Sequence, residues 1–242
     1  MLKHVQHLAW PGVEVQPILE REAHMRQGAA FHRLVQQHVL GLAVEPLVQG
    51  EKLARWWASF QAHPPADLPE KRAAEVTVSA LVQGVPLIAK YDLVAVEPGV
   101  RAVIVDWKTT AQQPRRQHLA EHLQTRIYRY LLARSGLGSL GRYAPGQIEM
   151  RYWFADFPEQ AERFTYSDME YAADEQMLNG LVATIAQQTE FPLTPDTRQC
   201  RFCRYRSLCD RGREIGDLDT LLATEDALES EVALEAAYEL EL

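Results

Sequence analysis

Asp106 and Lys108 are the first side chains in this sequence whose types and spacing could do chemistry together. In Val105-Asp106-Trp107-Lys108-Thr109 they stand two residues apart in a run rich in β-branched residues. Side chains alternate across a strand, so the acid and the ammonium project from one face while Trp107 points the other way. Asp92, in Lys90-Tyr91-Asp92-Leu93, falls on the preceding strand, and a turn at Pro98-Gly99 would bring it beside Asp106 across a hairpin. Two carboxylates in one pocket repel each other and raise a pKa unless a divalent cation sits between them. Mg2+ or Mn2+ would resolve the conflict. Such an ion polarises a phosphoryl oxygen, lowers the pKa of a bound water and stabilises a leaving oxygen, and Lys108 would orient the attacking water.

The elements that must position these groups can be read from periodicity. Glu20 to Leu40 is expected to be a helix, with Phe31, Leu34 and Val35 at helical spacing, His32 inside it and Gly41 as its stop. Glu51 to Phe60 reads as a second helix, closed by Pro64-Pro65. Glu75 to Leu81, Leu87 to Val96 and Arg101 to Trp107 are rich in Val, Ile and Leu and are separated by Gly84 and Pro98-Gly99, the pattern of an antiparallel meander. Gln117 to Arg134 has an amphipathic helical pattern through Leu119, Leu123, Ile127, Tyr130 and Leu131. Two further strands, Gln147 to Ala155 and Ala161 to Thr165, precede a helix from Ser167 to Gln188 with Ser167 as its N-cap.

Net charge first argues against a polyanionic partner: 25 Lys and Arg face 33 Asp and Glu, a balance of -8. Ten of those acids lie between Glu214 and Leu242, which holds no Lys or Arg, so the rest of the chain carries 25 basic against 23 acidic side chains. Nucleic acid therefore stays open as a partner, with Arg115 to Arg129 and the arginines around Phe202 and Tyr205 as candidate strand contacts. The longest apolar runs fall far short of the ~20 residues of a membrane helix. The start Met1-Leu2-Lys3-His4 has no apolar signal core, and three cysteines cannot all pair, so the expectation is a cytoplasmic protein that does not engage a membrane. A phosphate-binding loop of the Walker type is absent, which excludes ATP hydrolysis by this motif.

Glu75, Asp92 and Asp106-Trp107-Lys108-Thr109 resemble the acid, D and (D/E)XK positions of the PD-(D/E)XK nuclease superfamily, in its RecB-like branch. Gly28-Ala29-Ala30-Phe31-His32 is similar to that branch's N-terminal helix with a metal-binding histidine. Gln124-Thr125-Arg126-Ile127-Tyr128 is similar to its Q-x-x-x-Y motif, and Gln124 and Tyr128, four apart, share a helical face. The resemblance implies an α/β fold with a restriction-endonuclease-like core, a central mixed β-sheet flanked by helices, over residues 1–213, followed by an acidic tail, 214–242. It implies His32, Asp92 and Asp106 as ligands of Mg2+ or Mn2+, Lys108 at the water, and Glu75, Gln124 and Tyr128 as further catalytic groups. One departure is Ala89, where the family often has Gly three residues before the first Asp.

Cys200, Cys203 and Cys209 form a C-x2-C-x5-C array in a segment spanning 198–213, a spacing that points to a metal rather than disulfides. A similar triplet occurs in iron–sulfur nucleases of the same branch, AddB-like proteins and CRISPR-associated RecB-like exonucleases, where a fourth cysteine comes from near the N-terminus. The resemblance implies a 4Fe–4S iron–sulfur cluster in a form extended upstream of Val5 to Trp10. The alternatives are zinc with a histidine such as His4 or His7, and three ordinary thiols. For the whole chain the leading expectation is a metal-dependent DNA nuclease, an exonuclease or endonuclease acting on single strands or duplex ends, in repair, recombination or CRISPR-type processing, with a helicase or a CRISPR adaptation protein as a partner in trans. A non-catalytic DNA-binding or helicase-associated scaffold of the same fold is the second reading, and a protein-interaction module working through the acidic tail is the third.

Overall fold

In the computed structural model, residues 16–197, 200, 203, 205 and 208–211 are described. The acidic tail, His4, His7 and Phe202 lie outside the described residues. The chain divides into two compact units, Gln27–Ala186 and a second made of Met1–Arg26 with Gln187–Leu242. The candidate nuclease residues all fall in the first.

Helix α1 (Gln16–Val39) buries Phe31, Leu34 and Val35, and α2 (Glu51–Ala62) buries Leu53, Trp56, Trp57 and Phe60. Both sets recur at the three- and four-residue spacing that lines up one helical face. Three strands follow: β1 (Lys71–Val82), β2 (Val85–Glu97) and β3 (Arg101–Lys108), paired antiparallel as the meander predicts. Gly99, at φ 75°, closes the β2–β3 turn in a conformation that a side chain would oppose. The expected single helix from 117 to 134 is two helices, α3 (Arg116–Glu121) and α4 (Leu123–Ser135). The break is His122, whose ψ of 136° is extended and whose Nδ1 accepts from the Gln124 amide to cap α4.

The crossover through α3 and α4 returns the chain to β4 (Ile148–Phe154), which runs parallel to β3, and β5 (Glu162–Thr165) adds an antiparallel edge. The sheet order is β1-β2-β3-β4-β5, a mixed sheet flanked by helices. Helix α5 (Asp168–Gln187) begins as expected at Ser167, whose hydroxyl accepts from the Glu170 amide.

As the central strand, β3 is buried from Ala102 to Lys108, which explains its nearly unbroken apolar run. On one face Val103, Val105 and Trp107 pack against α1 and α2 in an aromatic core. There Phe31 stacks on Trp153 with centroids 5.8 Å apart, and Phe60 meets both Trp107 and Trp153 edge-on. Trp107 therefore does point away from the Asp106–Lys108 face. Trp153 also donates its ring N–H to the His63 carbonyl at 2.9 Å. Trp153→Ala should cost about 3–5 kcal/mol of stability, by leaving a cavity between the sheet and both helices, and urea unfolding followed by circular dichroism will measure it.

Candidate active site

The register of the central hairpin sets the distance between the two acids. The β2–β3 pairing ends at Leu93 with Val105, and Asp92 and Asp106 are the residues immediately beyond that last pair on the two strands. Asp92 does not stand free in the pocket. Its Oδ2 accepts from the Trp107 amide at 2.8 Å, and its Oδ1 lies 3.2 Å from His32 Nδ1 on α1. Burial alone would push this carboxyl up, but the charge and hydrogen bond of His32, the Trp107 amide and Lys108 outweigh it and hold Asp92 below the ordinary carboxylate value.

Asp106 and Lys108 sit deeper, 4% and 2% exposed. Lys108 Nζ is 2.9 Å from Asp106 Oδ2 and donates to Gln124 Oε1 at 3.1 Å, while Gln124 Nε2 donates to Asp106 Oδ1 at 2.7 Å. Gln124 thus bridges the acid and the ammonium from the first turn of α4. One turn on, Tyr128 meets the Tyr91 ring edge-on at 5.1 Å, and its carbonyl accepts from the Tyr91 hydroxyl at 3.0 Å. Burial, then the charge of Asp106, raises the Tyr128 phenol well above its ordinary value, so it stays protonated at neutral pH.

The expected His32, Asp92, Asp106, Lys108, Gln124 and Tyr128 are in this way drawn together. Glu75 turns elsewhere: although the β1–β2 register places it across from Asp92, its carboxylate pairs with Lys90 Nζ at 2.6 Å. Its backbone, at φ 57°, interrupts β1 in the left-handed region, at a cost of roughly 1–3 kcal/mol for a side-chain-bearing residue. Of the basic residues expected at a bound strand, Arg116 is paired with Glu162, Arg126 with Asp174, and Arg129 is buried on the Thr125 and Thr165 carbonyls. They hold the fold together, and Arg115, like Arg116 beside it, is exposed at the start of α3.

Two polar side chains near the site were not singled out from sequence. Lys90 is two residues before Asp92, an alternation that could have marked it. His122 is two residues before Gln124, but nothing in an amphipathic pattern distinguishes a helix break from a helix interior. Burial, then Lys108 and His118, lowers His122 to about 4, so it is neutral.

In donor chemistry the set of one imidazole and two carboxylates fits a divalent ion that accepts oxygen and nitrogen. The geometry is that of Asp106 held by an ammonium instead, and among the described residues no three His, Cys, Asp or Glu side chains converge on one point. An ion would have to exchange with Lys108 at Asp106. Cys200, Cys203 and Cys209 belong to the other compact unit, where they are free thiols of intermediate exposure, joined by a Cys203 amide to Cys200 carbonyl bond of 3.2 Å. This arrangement gives the expected iron–sulfur or zinc site no support.

A mixed sheet flanked by helices, with an acid, a second acid and a lysine on its two central strands, is the architecture of a restriction-endonuclease-like core. The chain belongs to the PD-(D/E)XK nuclease superfamily, whose model matches residues 2–210. None of the curated proteins compared matches it. Among solved structures it is similar to one described as the crystal structure of SSO0001, at 11% identity over 76% of this chain and 84% of that one. The TM-score there is 0.36, too low to carry an argument. No helix among the described residues is long and apolar enough to cross a membrane.

Two tests address how the site is held. A Cβ on Gly28 would stand 2.9 Å from Thr109 Oγ1, so α1 lies against the end of β3 one turn before His32. Gly28→Val should force the two apart and lower stability by about 1–3 kcal/mol, read from denaturant midpoints. For His122 the sign follows from its depressed value. An unfolded chain takes up this proton near 6.5, the folded chain only near 4, so folding stability falls as pH drops from 6.5 to about 4 and is level with respect to this group outside that window. His122→Gln should flatten that part of the profile, measured as unfolding free energy against pH.

Proposed function

We propose that this protein is a metal-dependent DNA nuclease that hydrolyses phosphodiester bonds as an exonuclease at single strands or duplex ends. The observation that carries the reading is Asp92 tied to the Trp107 amide between Asp106 and Lys108, with Gln124 bridging that acid and ammonium. The motif order from His32 to Tyr128 further supports a place in the RecB-like branch, which would set the activity in the processing of DNA ends during repair or recombination.

His32, Asp92 and Asp106 would hold Mg2+ or Mn2+. When bound, the ion supplies Lewis-acid polarisation of the phosphoryl oxygen and a water of lowered pKa. The chain's own residues do the rest. Lys108, steered by Gln124, places an ammonium beside the carboxylate pair, where it orients the attacking water and balances the charge that builds on the phosphoryl oxygens. Its burial keeps competing water away and strengthens that interaction. Tyr128, locked in its protonated form, serves as a hydrogen-bond donor and not as a base. Glu75 acts at one remove, by holding Lys90.

End-labelled single- and double-stranded DNA, incubated with Mg2+, Mn2+ or EDTA, tests this reading. Cleavage should need the metal, and Asp106→Asn, which keeps the side chain's shape beside Lys108, should reduce it by about a hundredfold or more in protein whose circular dichroism matches wild type. Lys108→Ala should lower kcat more than it lowers metal affinity by calorimetry. Folded protein that cuts neither substrate with either metal would refute the proposal and leave a DNA-binding scaffold of the same fold.

A further inference from the structure

Tyr152 stands beside the acid–lysine pair from the neighbouring strand. β3 and β4 run parallel with Asp106 in register with Tyr152, so the two side chains share the face that meets α4. Tyr152 is fully buried, and the Lys108 ammonium lies over its ring, 5.6 Å from the centroid. At that separation a cation is drawn to the negative face of an aromatic ring, more strongly when both are out of water.

Two neighbours fix the plane of the ring. Thr125 Oγ1 donates to the Leu119 carbonyl at 2.5 Å and lies 2.7 Å from the Tyr152 hydroxyl. A threonine hydroxyl has one hydrogen, so Tyr152 is the donor in the second bond. Burial, then the charge of Asp106, raises the phenol far above its ordinary value, which keeps that proton in place. Phe164 adds an edge-on contact with centroids 6.0 Å apart.

Lys108 is 2% exposed, so bulk water does little for its charge, and its ammonium is 2.9 Å from an Asp106 oxygen that a divalent cation would take. A cation at that carboxylate divides its charge and repels the ammonium. Gln124 Oε1, at 3.1 Å, and the Tyr152 ring stay with Lys108 in that event, one from α4 and one from β4. We propose that Tyr152 is a positioning residue: its ring face retains the Lys108 ammonium beside the carboxylates while Asp106 serves the metal. The inference rests on the nuclease reading and adds to it the means by which metal and lysine share one buried acid. The ring contributes in the metal-free protein as well, but its share grows once the charge of the carboxylate is divided.

The test uses the full chain carrying Tyr152→Phe, and the same ring with one, two or three fluorines, introduced by nonsense suppression. Fluorine drains the negative face of the ring with little change of shape, so the packing against Phe164 is kept. Each variant is first matched to wild type in circular dichroism. Mn2+ affinity by calorimetry should fall stepwise with fluorination, by about three- to tenfold from Tyr152→Phe to its trifluoro form. With Lys108→Met in the same chain the series should be flat. Hydrolysis of bis(p-nitrophenyl) phosphate with Mn2+ should lose kcat along the series that keeps Lys108, with KM held within about twofold. A packing role gives no slope, or the same slope with and without Lys108, and either result in protein that binds Mn2+ overturns the proposal. Wild type that neither binds Mn2+ nor cleaves DNA or the small diester refutes the nuclease reading, and the proposal with it.

Discussion

A lysine ammonium in the interior of a sheet requires compensation, and here that requirement organises the molecule. Lys108 and Asp106 neutralise each other, but a buried ion pair is tolerable only when the remaining donors and acceptors are also met. Gln124 meets them from both sides at once. It can do so only if α4 begins close above the end of β3, and that in turn calls for the break at His122 and the crossover that makes β3 and β4 parallel. The chain on the opposite face has a different task, which is to exclude water around Trp107 and Trp153 with the aromatic faces of α1 and α2.

The site is consequently built in two tiers of different depth. Asp106 and Lys108, ion-paired and each hydrogen-bonded to Gln124 of α4, form the deeper set. Asp92 and His32 are nearer the surface, each with a side chain 15% exposed, and their contact spans 60 residues of sequence between a helix and a strand. The Trp107 amide, which lies between Asp106 and Lys108 along β3, ties Asp92 to the strand that carries Asp106. The backbone of the motif's middle residue thus has a role that its side chain, pointing into the aromatic core, does not reveal.

Much of this was legible beforehand because strand alternation and hairpin register are short-range rules. The two acids, the lysine and the opposed Trp107 follow from period two and one turn, and Gln124 with Tyr128 from helical spacing. The rest depends on long-range geometry. Glu75 reads as a site acid by its position across from Asp92, yet Lys90, on the same face and one step diagonal, captures its carboxylate. The arginines of 115–129 read as strand contacts by charge, yet Asp174, Glu162 and backbone carbonyls claim three of them. The helix break was invisible because His122 differs from a helix interior only in ψ. The cysteine segment lies in the other compact unit, where its expected metal finds no support.

The break at His122 has one more consequence, for how such a chain can change over evolutionary time. α3 lies upstream of it and contributes no side chain to the acid–lysine cluster, while α4 takes its starting point from its own cap. Insertions or deletions between Ala111 and Pro114, ahead of α3 and without a buried side chain, would therefore alter the length of the crossover without rotating Gln124 or Tyr128 away from the strands. The segment beside the chemistry is in this respect the one most free to diverge, and new surface loops can be added there while the phosphodiester-cleaving core keeps its geometry.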